Sequence, residues 1–169
     1  MGAWGAIIMS FFGALFASLT LGWQYGWSGI ALAVPFIAFV AVAGAASAGL
    51  RRPGEGLRST ARADRIIMWS SIGEGIGLFV MATVMTNLGH AELLLPGMAA
   101  VVGLHFLPMA FGIPFPPYYG IGSALLAAAI TGFILPQPLG GRVAGFAAAL
   151  SLLVAATAAL RREARARSA

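Results

Sequence analysis

This sequence contains no cysteine and no lysine, and only 9% of its 169 residues are charged. Without cysteine there are no disulfides, no thiolate metal sites and no thiol catalysis. A soluble domain covers itself with about a quarter charged residues, so this chain has too few to be solvated by water. Acidic groups are scarcest, at five, and the two histidines stand in no His-x-x-x-His or His-Glu-x-x-His spacing. What is present is apolar: 60% of the residues are hydrophobic, with a mean hydropathy of +0.91. Lipid is therefore the expected solvent, and the bilayer the expected first partner. The length leaves room for one integral membrane domain over 1–169 and no separate soluble one. All ten cations are arginine and alanine is abundant. That bias points to a GC-rich bacterium and hence to a bacterial inner membrane.

The net charge of +5 does not indicate a nucleic-acid partner once its distribution is considered. Arg51, Arg52, Arg58, Arg62 and Arg65 share one hydrophilic loop, Arg161, Arg162, Arg165 and Arg167 share the C-terminal tail, and Arg142 stands apart. Basic clusters flanking apolar spans set membrane orientation and attract anionic headgroups, here expected near Arg51, Arg52, Arg161 and Arg162.

Spans of about 20 apolar residues are needed to cross a bilayer. Six fit the sequence: about 4–23, 28–50, 66–87, 92–112, 117–135 and 140–160. The first ends in Trp23-Gln-Tyr-Gly-Trp27, an interfacial aromatic belt, and has no basic n-region, so it reads as a retained helix rather than a signal peptide. Leu57 to Arg65 reads as a short interfacial helix. Four spans separate the basic loop from the basic tail, which puts both on one side. The expected fold is thus an all-α, polytopic six-helix bundle with both termini cytoplasmic. Small residues are dense in every span, notably Gly44 to Gly49 and Gly73-x-x-x-Gly77, and favour close helix packing.

Glu74 is the only acidic residue in the interior of these spans, Glu92 standing at the very start of the fourth. An ionisable group there costs about 2.5–3.5 kcal/mol, so it calls for a partner, a proton or a function. It lies about eight residues into the third span, roughly 12 Å deep at about 1.5 Å per residue. His105 lies at a similar depth in the fourth, so a carboxylate–imidazole pair on adjacent helices is expected. Ser70 and Ser71 stand one turn before Glu74, and Tyr119 and Ser123 share a face of the fifth helix. Pro108 frees the carbonyl of Leu104 beside His105. These groups predict one polar pocket open to the cytoplasm: Ser70, Ser71, Glu74, His105, Tyr119 and Ser123. The alternative is a contact that only fixes helix register, with serines bonding their own backbone. His90 and Glu92 read as solvated residues of an external turn. Two histidines on opposite sides share no metal, only His105 is deep enough for a haem, and Tyr119-Gly-Ile-Gly-Ser123-Ala is a poor nucleophile motif. No cofactor and no catalytic residue is expected.

Gly103-Leu-His-Phe-Leu-Pro108, followed by an aromatic-rich turn and Tyr118-Tyr-Gly, resembles a small bacterial six-helix membrane family of unknown function, marked by a His-Phe-x-Pro box in its fourth helix. The resemblance implies that His105 and Pro108 belong to that family's shared feature. Its members carry amide-type residues in the third helix, from which Glu74 departs. The favoured reading is a small transporter or permease-like protein with a protonatable Glu–His site, expected to form a homo-oligomer. A non-transporting accessory module and an intramembrane enzyme acting on lipid are the alternatives.

Overall fold

The structure, a computed structural model, describes residues 2–168 apart from Arg52, Gly54, Glu55, Arg58 and Pro114. The headgroup contact expected at Arg52 thus lies outside the described residues. Among the described residues six α-helices form: α1 Gly2–Tyr25, α2 Phe36–Leu50, α3 Ala61–Asn87, α4 Leu94–Gly112, α5 Pro117–Ile134 and α6 Leu139–Ser168. Short 3₁₀ turns, Gly29–Ala33 and Ala91–Leu93, precede α2 and α4. Among the described residues six segments are long and apolar enough to cross a membrane.

The helix ends differ from expectation for local reasons. Among the described residues of the expected helix from Leu57 to Arg65, Leu57, Ser59 and Thr60 are not helical. Thr60 caps α3, its hydroxyl accepting from the Ala63 amide at 3.2 Å, so one continuous helix starts at Ala61. Ser59 donates to Asp64 in that first turn. At the other extreme α6 does not stop near residue 160. It runs through the basic tail to Ser168, where alanines favour helix and Arg167 bonds Glu163 one turn back at 2.9 Å.

The helices pack in the spatial order α3, α4, α5, α6, α1, α2, and the α1–α6 interface is the most extensive. Phe16, Leu95, Leu125 and Leu152 are fully buried where α1, α4, α5 and α6 meet. Glycines set the distances. A Cβ on Gly103 would lie 3.1 Å from the Gly122 carbonyl oxygen, and one on Gly122 would lie 3.1 Å from that of Gly103. Backbone therefore meets backbone between α4 and α5. Gly13 approaches the Ala149 carbonyl in the same way, which joins α1 to α6. In the Gly73-x-x-x-Gly77 motif only Gly77 packs, against Val101 of α4, while Gly73 faces open space. The small-residue run of α2 also stays largely uncovered, with Ala46 its one buried member.

One end of the bundle gathers the basic segments. Gly2 abuts Glu163, Gly56 of the loop abuts Glu163 and Arg167, and Arg162 lies 4.7 Å from the Phe115 ring centroid. The opposite end carries the α3–α4 turn, made at Gly89 with φ 74°, and the exposed His90–Glu92 contact at 3.0 Å. Arg142 sits at that end for a structural reason. Its guanidinium donates to the Gln24 carbonyl at 3.2 Å and stacks 4.5 Å from the Tyr25 centroid, placing a cation at the C-terminus of α1.

Glycine packing is directly testable. Gly103→Val should lower the thermal stability of the detergent-solubilised protein by about 1–3 kcal/mol, the usual cost of overpacking. Gly73→Ala should be neutral or mildly stabilising, since nothing lies within 4 Å of the added methyl. Equal losses in the two variants would contradict the packing described.

Candidate functional site

Glu74 is the central residue of α3, thirteen residues from each end, because the helix begins five residues before the expected span. His105 projects from α4, the helix on which α3 packs. Glu74 Oε2 and His105 Nδ1 are 3.5 Å apart, with the side chains 13% and 9% exposed. The contact is electrostatic rather than a formed hydrogen bond, and His105 Nδ1 is buried without a bonded partner. The imidazole also meets the adjacent Phe106 ring edge-on, at 5.3 Å between centroids. Phe106 leans in turn on Tyr118 at 5.7 Å, and Tyr118 on Phe115 at 5.0 Å.

α1 and α3 are not packed neighbours, and α4 floors the gap between them. A cavity of about 270 Å³ lies there, with Ile8 and Phe12 on one wall, Ser71 and Glu74 on the other, and His105 between. It shares Ile8, Met9, Ser71, His105 and Phe106 with a second cavity of about 410 Å³. The second runs past Ile67, Met109 and Tyr118 to Leu57 and Ser59 of the basic loop. Together they make a groove, mostly apolar, from the arginine-rich end to the pair. A third space of about 450 Å³, a shallow outer groove of α3 and α4 bordered by exposed Trp69 and Leu104, is lined by Ser70, Gly73 and Pro108 and also reaches Glu74 and His105. The pair thus stands as a partition between two spaces.

The structure brings together Glu74, His105 and Ser71, and puts Ser70 on the far side of α3. Tyr119 and Ser123 lie elsewhere: both are exposed, Tyr119 packs edge-on against Phe111 at 5.8 Å, and neither lines these three cavities. The reason is helix phase. Gly122 must face Gly103, which turns Tyr118 and Leu125 inward and carries Tyr119 and Ser123 outward. Tyr118, one residue from the expected tyrosine, is the phenol that reaches the groove. Tyr118, Ile121, Gly122 and Leu125 form the buried face of α5, which its uniformly apolar sequence does not reveal. Sequence reasoning also passed over Glu163, which is 4% exposed beneath Gly2. Among the described residues no three His, Asp or Glu side chains converge as a metal site would require.

The contact between Glu74 and His105 makes a non-additive prediction. Glu74→Gln or His105→Asn alone leaves one ionisable group without its partner in a covered site, whereas the double variant removes both ionisable groups. In a thermal-denaturation cycle the pair should show a coupling of about 1 kcal/mol or more. Strictly additive single effects would contradict the contact.

Comparison with known protein families, curated proteins and solved structures gives no match, so the functional reading rests on these residues.

Proposed function

We propose that this chain is a small transporter or permease-like protein of a bacterial inner membrane, with Glu74 and His105 as its protonatable site. The observation that carries the reading is the position of the pair. It ends a groove that starts at the arginine-rich loop, and it separates that groove from a second space across α3. A carboxylate and an imidazole at such a point exchange protons with whatever occupies the groove, and intramembrane groups of this kind commonly mark proton or ion pathways. The walls are apolar apart from a few groups, which suits an organic solute with one polar or cationic end. The arginine-rich end is assigned to the cytoplasm by its charge. A homo-oligomer would supply the walls that six helices lack on the uncovered sides of α2 and α3.

The 3.5 Å separation favours this over a purely structural contact. A hydrogen bond that fixed register would close to about 2.7–3.2 Å and leave no unbonded ring nitrogen. The accessory-module reading draws on the small exposure of both side chains, and the same experiment separates the two.

Reconstituted vesicles with a trapped pH-sensitive dye and an imposed pH difference should show proton movement that depends on the protein. Glu74→Gln should abolish it, and His105→Asn should reduce it at least tenfold. Unchanged flux in Glu74→Gln would overturn the proposal.

A further inference from the structure

A second groove lies at the arginine-rich end, away from Glu74, where the start of α5 meets the last third of α6. Its volume is about 510 Å³. α6 supplies one wall through a single helical stripe: Val154 and Ala158, then Arg161, Arg162 and Arg165. These positions recur at three- and four-residue steps, so they share one face. The stripe changes from apolar to basic within about two turns, or roughly 10 Å at about 1.5 Å per residue. Phe115 forms the facing wall, and the Arg162 guanidinium lies 4.7 Å from its ring centroid. Among the described residues no carboxylate lines the groove. The nearest acid along α6, Glu163, points away beneath Gly2 and bonds Arg167.

We propose that this groove binds an anionic phospholipid, its phosphate held by Arg161, Arg162 and Arg165 and an acyl chain laid along Val154 and Ala158. Three guanidiniums at the mouth of an apolar slot match a ligand with a charged head joined to a hydrocarbon tail. Basic pockets between membrane helices bind such headgroups, with each arginine contributing an attraction that falls off within a Debye length. Arg162 is also fixed by its stack on Phe115, so the site has a rigid centre flanked by two longer-reaching arms. This goes beyond charge attracted to a bilayer surface in general, because it assigns the lipid to one groove rather than to every arginine at that end.

The test is native mass spectrometry of the full-length protein in detergent, titrated with cardiolipin, phosphatidylglycerol, phosphatidylcholine or inorganic phosphate. The two anionic lipids should give retained adducts, and phosphatidylcholine and phosphate should not. Arg161→Gln/Arg165→Gln should weaken cardiolipin binding by about thirty-fold, a factor of about five per guanidinium. Arg62→Gln/Arg65→Gln removes the same charge from the start of α3 and should leave binding within about twofold. Equal weakening in the two double variants would overturn the groove assignment. Competition by inorganic phosphate at equal concentration would overturn the lipid assignment.

Discussion

In a bilayer, helices gain little from leaving one apolar medium for another, so close backbone approach must hold this chain together. The approaches are unevenly distributed. Gly103 with Gly122 joins α4 to α5, Gly132 with Ala144 joins α5 to α6, and Gly13 with Ala149 joins α1 to α6. α3 is joined to α4 where Gly77 meets Val101, Gly97 meets Met81 and Gly112 meets Ile66, and it packs on little besides α4. From this one constraint follows the rest of the site. The helix carrying Glu74 is backed on one side only, and the gap it leaves toward α1 is the groove that reaches the glutamate. A tighter bundle with α1 packed on α3 would have sealed the pair.

Two buried carboxylates show what the partner decides. Glu163 is bonded to Arg167 at 2.9 Å, and a guanidinium stays charged at any physiological pH. That acid is held by a permanent cation, and it sits where α1, the basic loop and α6 converge. Glu74 faces an imidazole instead, and the two lie 3.5 Å apart without closing into a hydrogen bond. The first pairing serves the fold. The second is unclosed and ends the groove, which is why the functional proposal rests on it. Arg142 belongs with the first kind, a cation spent on the end of α1 rather than on orientation.

The number of helices and their alternation were legible in the sequence, because lipid thickness and arginine placement constrain both without reference to packing. The match of Glu74 to His105 followed from the same depth reasoning, although α3 starts earlier and puts the glutamate at its centre. Helix ends were partly legible: Ser59-Thr60 before Ala61 and Glu163 one turn before Arg167 are local signals that outweigh hydropathy. Rotation was not. A uniformly apolar helix carries no polar face to reveal which side turns inward, so Tyr119 and Ser123 stood as plausible as Tyr118. Only the contact of Gly122 with Gly103, set by another helix, fixes that phase. The burial of Glu163 was hidden for the same reason, since it depends on where α1 begins in space.

The central claim is that protons reach the Glu74–His105 pair through the groove. It is tested most directly by water-edited solid-state NMR of the His105 ring in lipid, in which magnetisation passes from water to the nuclei it reaches. Rapid transfer to the His105 ring is expected, with a marked loss in Ser71→Phe, which fills the groove. A ring that receives no magnetisation from water in the unaltered protein would contradict the claim.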